Sequence, residues 1–299
     1  MLWKFISITS LTFLLSFVSD SLDITSNYDS NLVQVSSVTH NNEQYKLVYM
    51  KRNNFRVRAK YFAYKLGGKD VYHRYNNWKL NKNIIMFSSG TYLDAFVDNY
   101  NRRTYQLVGL AMDQGKQVNG KLEEGRMEGL VLVYPNGGIK VYNIKDKVIE
   151  VNDRGRDVSF DISNYNGLAL FKSWAMRNRA TVFQTHLLAW NNELKFEKNY
   201  YTKSAKRERR FLAIGTSPNG DEIHCIVHKP EYQTLYDASS KVLNFLKTRK
   251  RMNVKALLNL DTGMQDVCKV FTKSGAVNNM IVGRTKIEDA QNLLVYYFQ

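Results

Sequence analysis

The chain has 299 residues, 44% of them hydrophobic and 23% charged, with three prolines and a net charge of +16. This is the composition of a folded globular protein with ample core, and it excludes a disordered chain or a disulfide-stapled miniprotein. The positive charge is spread along the sequence, so it favours anionic partners in general without marking a nucleic-acid face.

Residues 1–21 read as a secretory signal peptide. Lys4 forms a short basic start, Leu11–Val18 an apolar stretch, and Ser19 and Ser21 occupy cleavage-site positions. The stretch is too short to span a bilayer, so no membrane span is expected in the mature chain. The secreted, periplasmic or envelope compartment that this implies would permit Cys225 and Cys268 either to pair or to stay as buried thiols. Neither CxxC pairs nor Cys/His clusters at metal-ligand spacing occur, and no cofactor or metal is expected.

The polar, Asn/Ser-rich segment 22–44 reads as a flexible lead-in, and 45–299 as one domain. Tyr45–Met50 and Phe55–Tyr64 alternate as a hairpin broken at Arg52, and Asn83–Phe87 is a short strand. Gln106–Met112 and Leu130–Val133 are strands, the latter leading through Pro135-Asn136-Gly137 into Gly138–Ile144. A helix is expected over Ser163–Asn178 and a strand over Thr181–Trp190. Phe211–Thr216 and Glu222–His228 flank a Pro218-Asn219-Gly220 turn. Thr234 and Asp237 open the clearest helix, with Leu235, Ala238, Val242, Phe245 and Leu246 on one face. Ala256–Leu260 is a buried-type strand that delivers Asp261 and then Gly263. Strands and hairpins dominate, so the class is α+β, with a mostly antiparallel or mixed sheet and a few packed helices.

Several segments carry candidate chemistry. Asp261 stands at the end of an apolar strand, two residues before a glycine that lets the backbone turn. A single Asp-Thr-Gly with 36 residues after it does not make an aspartic-protease pair. Lys203, Lys206, Arg207, Arg209 and Arg210 form a basic run, read as a solvated loop or a phosphate clamp. His224 and His228 share a strand face with no third ligand and read as packing or surface histidines.

In order along the chain, these segments resemble the phosphodiester glycosidase family over about 83–283. The family's strand and Asn-x-Gly-x-Phe turn are matched by Met86-Phe87-Ser88-Ser89-Gly90-Thr91-Tyr92, with serine in place of asparagine. Its Gly-Leu-x-x-x-x-Gly-Lys element is similar to Gly109-Leu110 through Gly115-Lys116, and its Pro-Asn-Gly hairpin to Pro135-Asn136-Gly137. Gln184-Thr185 stands at its Gln-Ser signature, Arg210 through Gly215 at its Arg-x-x-x-Gly strand, and Leu260-Asp261-Thr262-Gly263 at its Leu-Asp-Gly-Gly hallmark.

The resemblance implies hydrolysis of a bond between a sugar's anomeric carbon and phosphate, on a phosphorylated glycan or glycoconjugate. It implies Asp261 as the catalytic carboxyl and Arg210 with the amides at Gly90 and Gly263 as the phosphate grip. Gln184, Thr185 and Ser88 would position sugar hydroxyls; no second catalytic carboxylate is named, Glu231 and Asp94 being only nearby candidates. Thr262, in a glycine position, would be strained if its φ were positive. The alternative is a drifted, non-enzymatic envelope protein that keeps the fold and binds glycan. If the leader reading is right, protein exported by a secreting host begins at Leu22, as terminal sequencing by mass spectrometry would read; an intact Met1 would refute it.

Overall fold

The computed structural model describes residues 22–27, 31–52, 56–64, 70–97, 101, 103–125, 127–195, 205–263 and 265–299. The expected signal peptide lies outside them. Among these residues no helix is long and apolar enough to cross a membrane.

The fold is strand-dominated, and every ladder is antiparallel. An eight-stranded sheet runs in the order Leu22–Asn27, Val33–His40, Glu43–Lys51, Glu222–Gln233, Arg207–Thr216, Asn253–Leu260, Leu187–Trp190 and Glu193–Leu194. Its central strands carry apolar residues on both faces because both are covered, with Arg209, Arg210, His224, His228 and Lys229 buried among them. Phe211, Ala213, Val227 and Leu257 pack under helix α3 (Leu235–Thr248). Leu212, Ile214, Ile226 and Leu258 pack against two five-stranded sheets. One of those sheets is centred on Asn83–Ser88 and Asn292–Phe298, with helix α1 (Val71–Lys79) over its outer face. The other is centred on Gly129–Val133 and Thr181–Thr185, covered by helix α2 (Tyr165–Arg177). Three helices therefore each seal a different sheet.

The helix starts follow capping chemistry. Asp70, Asn164 and Thr234 each accept a backbone N–H three residues on. Thr234 also donates its hydroxyl to the Asp237 carboxylate at 2.6 Å.

Several sequence expectations change. The segment 22–44, expected as a lead-in, contains the strands Leu22–Asn27 and Val33–His40, because Val33, Val35 and Val38 have a core to enter and Ser36 is small enough to be buried beside them. The hairpin over 45–64 does not form. Glu43–Lys51 pairs within the large sheet while Val57–Ala63 pairs with Asn292–Phe298 in another, and the chain crosses between them at buried Arg52. The expected strand Thr181–Trp190 is two strands in two sheets, stepped at His186. Gln106–Met112 breaks at Gly109, whose φ of +75° and close packing against the Gln184 side chain leave no room for a Cβ. The two cysteines are buried free thiols in different cores, and burial pushes the Cys225 thiol up to about 12.

A charged cluster closes the seam between α3 and the sheet. Lys229 is fully buried, its Nζ donating to Glu43 at 2.7 Å and to the Gln44 carbonyl at 2.9 Å, 2.8 Å from Glu231, and 4.1 Å over the Tyr45 ring. Lys241 of α3 reaches the other Glu43 oxygen. Burial alone would raise the Glu43 carboxyl, but the hydrogen bonds from Lys229 and Lys241 hold it at about 2. A carboxyl depressed in this way stabilises the fold above its unfolded value near 4.5 and loses that contribution as pH falls towards 2. Glu43→Gln should cost about 3 kcal/mol at pH 7 by leaving Lys229 short of a partner. In urea titrations the gap to wild type should close on acidification to about pH 2; a pH-independent gap would contradict this account.

Candidate functional site

The Asn253–Leu260 strand ends at the edge of the core and hands the chain to Asp261, which is 3% exposed. Its Oδ1 accepts the Gly263 N–H at 2.7 Å, an Asx turn that fixes the carboxyl. Burial raises this carboxyl, and buried Asp266 adds to the rise. The amides of Gly263 and Gln265, together with Arg207, oppose it without cancelling it. Arg207 lies over the turn: a Cβ placed on Gly263 would stand 3.0 Å from Asp261 Oδ1 and 3.1 Å from Arg207 Nη1.

Beneath Asp261 is a buried ion network. Arg210, paired in register with Leu260, is wholly buried. Its Nη2 donates to Asp266 Oδ1 at 3.0 Å and its Nη1 lies 3.4 Å from Ser88 Oγ. Asp266 Oδ2 accepts the Arg284 backbone N–H at 3.1 Å and its Nε at 3.0 Å, while Arg284 Nη2 donates to the Thr262 carbonyl at 2.8 Å. Glu208 lies 3.2 Å from Arg284 Nε, and burial and Asp266 push its carboxyl up. His228, 3.8 Å from Glu208, is pushed down to about 3 by burial and by Arg210, so it is neutral at pH 7.

On the other side, the step at His186 brings a polar, aromatic wall beside the strand end. The Tyr92 and His186 rings are 4.8 Å apart. Asn259 Nδ2 donates to the Tyr92 hydroxyl and lies 3.5 Å from His186 Nδ1, while its buried Oδ1 has no partner among the described residues. Arg209, buried next to Tyr92 and repelled by Arg207, falls to about 10 because burial disfavours its charge. Its Nη2 donates to the Ala205 carbonyl at 2.6 Å.

The structure thus brings Asp261, Gly263, Arg210 and Ser88 to one strand end, and assigns three expected ligand contacts elsewhere. Gln184 does not face a ligand. Its Oε1 accepts Leu110 and Glu123 amides at 2.6 and 2.9 Å, and its Nε2 donates to the Glu123 and Met127 carbonyls at 2.9 and 2.8 Å. Its amide capacity is spent on pinning two loops. The Gly90 amide is likewise spent on Asn292 Oδ1 at 2.7 Å, and a Cβ there would meet the Tyr61 ring at 2.8 Å. Thr185 is fully buried and donates to the Asn259 carbonyl, so it supports the strand end from behind. Glu231 belongs to the Lys229 cluster, and Asp94 is an exposed strand residue. Thr262 is not at positive φ; its hydroxyl donates to the Glu208 carbonyl at 3.0 Å, so the threonine fits without strain.

Sequence reasoning missed Asp266, Glu208, Arg284, His186 and Asn259. The basic run did contain Arg207 and Arg209, but they open a strand instead of lying in a loop. Asp266 follows Asp261 by five residues, but its role is set by Arg210 and Arg284, which come from other strands and loops. His224, like His228, is buried: it lies 2.8 Å from the Tyr296 hydroxyl and 2.9 Å from Glu222. Among the described residues no group of three or more His, Cys, Asp or Glu side chains is placed to hold a metal ion.

No protein-family model and no curated protein sequence matches the chain. Solved structures with a similar chain path include the zebrafish N-acetylglucosamine-1-phosphodiester alpha-N-acetylglucosaminidase catalytic domain, auto-inhibited by its pro-peptide. The alignment has 12% identity and a TM-score of 0.44, and covers 96% of this chain and 85% of that one. A hypothetical protein from Synechocystis aligns at 8% identity and TM-score 0.43, over 94% of this chain and 68% of its own. A Burkholderia pseudomallei protein described as exported aligns at 8% identity and TM-score 0.45, over 88% and 74%.

The raised Asp261 carboxyl has a stability consequence. Between the unfolded and folded values the native state holds more protons, so stability falls as pH rises through that window. Asp261→Asn keeps an acceptor for Gly263 and removes the buried charge. It should melt at a higher temperature than wild type at pH 7, with the difference shrinking below about pH 4. A variant less stable than wild type at pH 7 would refute the desolvation account.

Proposed function

We propose that this protein is a secreted or envelope-side hydrolase of glycosyl-1-phosphodiesters that works at the Asp261 site. The observation that carries the reading is a desolvated carboxyl at a strand end, with the Arg207 guanidinium over the same turn. The ordered motifs from Met86 to Gly263 support the same reaction class.

Hydrolysis breaks the bond from the anomeric carbon to the phosphate oxygen. The phosphate monoester departs with the electron pair, and water adds to the sugar. A buried carboxyl whose proton is held above the usual range can give it to a departing oxygen or, when ionised, stabilise an oxocarbenium-like transition state. Arg207 supplies positive charge for the phosphate in planar, paired hydrogen bonds. Tyr92 and His186 offer ring faces, and Asn259 a polar edge, to the sugar. Arg210 acts from beneath: its charge is committed to Asp266, so it positions the 261–267 turn and leaves the phosphate to Arg207.

A non-enzymatic glycan-binding protein is the second reading. The hydrogen bonds that use up Gln184 and Gly90 favour it, since they leave fewer groups to grip a transition state.

Mature protein incubated with a panel of sugar-1-phosphodiesters should release free sugar. Asp261→Asn should lower kcat by about 10³-fold, and Arg207→Gln should raise KM by about tenfold. Saturable glycan binding with no release from any substrate would move the assignment to the binding protein.

A further inference from the structure

We propose that the groove between the Ile139–Asn143 strand and the Trp190–Lys255 edge of the large sheet is a second carbohydrate site, which takes a sugar bearing a carboxylate or sulfate group. Two cavities meet there, of about 560 and 270 Å³, and share Lys140, Val141 and Lys255. Lys255 is on the same strand that delivers Asp261, six residues earlier, which places the groove about 20 Å from that carboxyl. It is therefore separate from the reaction proposed above.

Two ammonium groups face the groove from opposite walls, each over an aromatic ring. Lys140 Nζ stands 5.1 Å over Tyr142, and Lys255 Nζ stands 5.8 Å over Trp190. Burial and the nearness of Lys255 lower the Lys140 ammonium, so the pair repels across the gap. Lys140 also donates to the Glu150 carbonyl at 2.5 Å.

Carboxylates are present but occupied or peripheral. Glu222 is 2.9 Å from His224 Nε2, Asp146 accepts from the Asn143 amide at 3.0 Å, and Glu150 and Asp157 temper the charge of Lys140 from the rim. Near Glu222, buried Arg52 donates its Nη2 to the Gly137 carbonyl at 2.8 Å, finds no partner for Nε and Nη1 among the described residues, and adds positive charge. An anion placed between Lys140 and Lys255 relieves their repulsion and makes two charge-assisted hydrogen bonds. The Trp190 ring provides an apolar platform, and Asn191 and Thr216 on the groove wall suit sugar hydroxyls. Ring faces flanked by cations and small polar groups recognise an acidic saccharide better than a bare anion or a neutral sugar.

The test is calorimetric titration of the mature chain with four probes: a uronic-acid tetrasaccharide, a sulfated tetrasaccharide, the neutral tetrasaccharide and sodium sulfate. A short single-stranded oligonucleotide serves as a fifth. One acidic saccharide should bind saturably, while sulfate alone and the neutral sugar should not. Trp190→Ala and the double variant Lys140→Gln with Lys255→Gln should each weaken that binding by about tenfold or more. Trp190→Phe, which keeps a ring, should retain it to within about threefold and guards against misfolding. Asp261→Asn should bind as wild type, which separates this site from the proposed reaction. The proposal is overturned if no acidic saccharide saturates, if sulfate or the oligonucleotide binds as well as the saccharide, or if both groove variants bind undiminished.

Discussion

The fully buried pair between Arg210 and Asp266 is the constraint on which the site depends. A guanidinium and a carboxylate taken out of water stabilise a fold only when their remaining hydrogen-bonding capacity is met. Here Asp266 meets it with the backbone and side chain of Arg284, and Arg284 in turn holds the Thr262 carbonyl. The turn from Asp261 to Val267 is thereby clamped to the middle strand of the largest sheet. Loss of either partner would leave a buried charge, so the arrangement tolerates no partial version. The Asp261 carboxyl inherits its position from that clamp.

The same burial sets the site's chemistry. Asp261 is desolvated because the strand before it enters the core between two cores that are already closed, one under α3 and one against the smaller sheets. A carboxyl in such a place is costly to ionise, and the fold carries that cost at neutral pH. Glu43 looks different: it is surrounded by ammonium groups and held low, whereas Asp261 is desolvated without an equal compensation and held high.

Much of the framework was legible in the sequence because it rests on local rules. The Asn219-Gly220 and Asn136-Gly137 turns set two hairpins, and Thr234 began its helix where a hydroxyl could cap it. The strands within 45–64 and 181–190 are decided by distant partners: Val57–Ala63 pairs with Asn292–Phe298, and Leu187–Trp190 with Asn253–Leu260. The polar break at Arg52 reads equally well as a hairpin turn or as a step to another sheet, and at His186 the apolar run continues on both sides of the step. The site followed the same division. Asp261 and Gly263 carry a local signature. Asp266, Arg284 and Asn259 acquire their roles only when strands far apart in sequence lie side by side, and the capacity of Gln184 is spent by loops that the sequence does not bring near it.

Those steps between sheets explain where the polar groups could gather at all. Inside a ladder the backbone is satisfied, and the charged side chains fully buried there, Arg210 and Lys229, are already committed to Asp266 and Glu43. Where one strand ends or changes sheet, its last residues face a neighbour that has also run out of partners. His186 is such a point beside Asp261, and the Trp190 end of the short strand after it faces the Lys140 and Lys255 groove. The four-residue strand Leu187–Trp190 of the large sheet therefore borders both the Asp261 site and the Lys140–Lys255 groove.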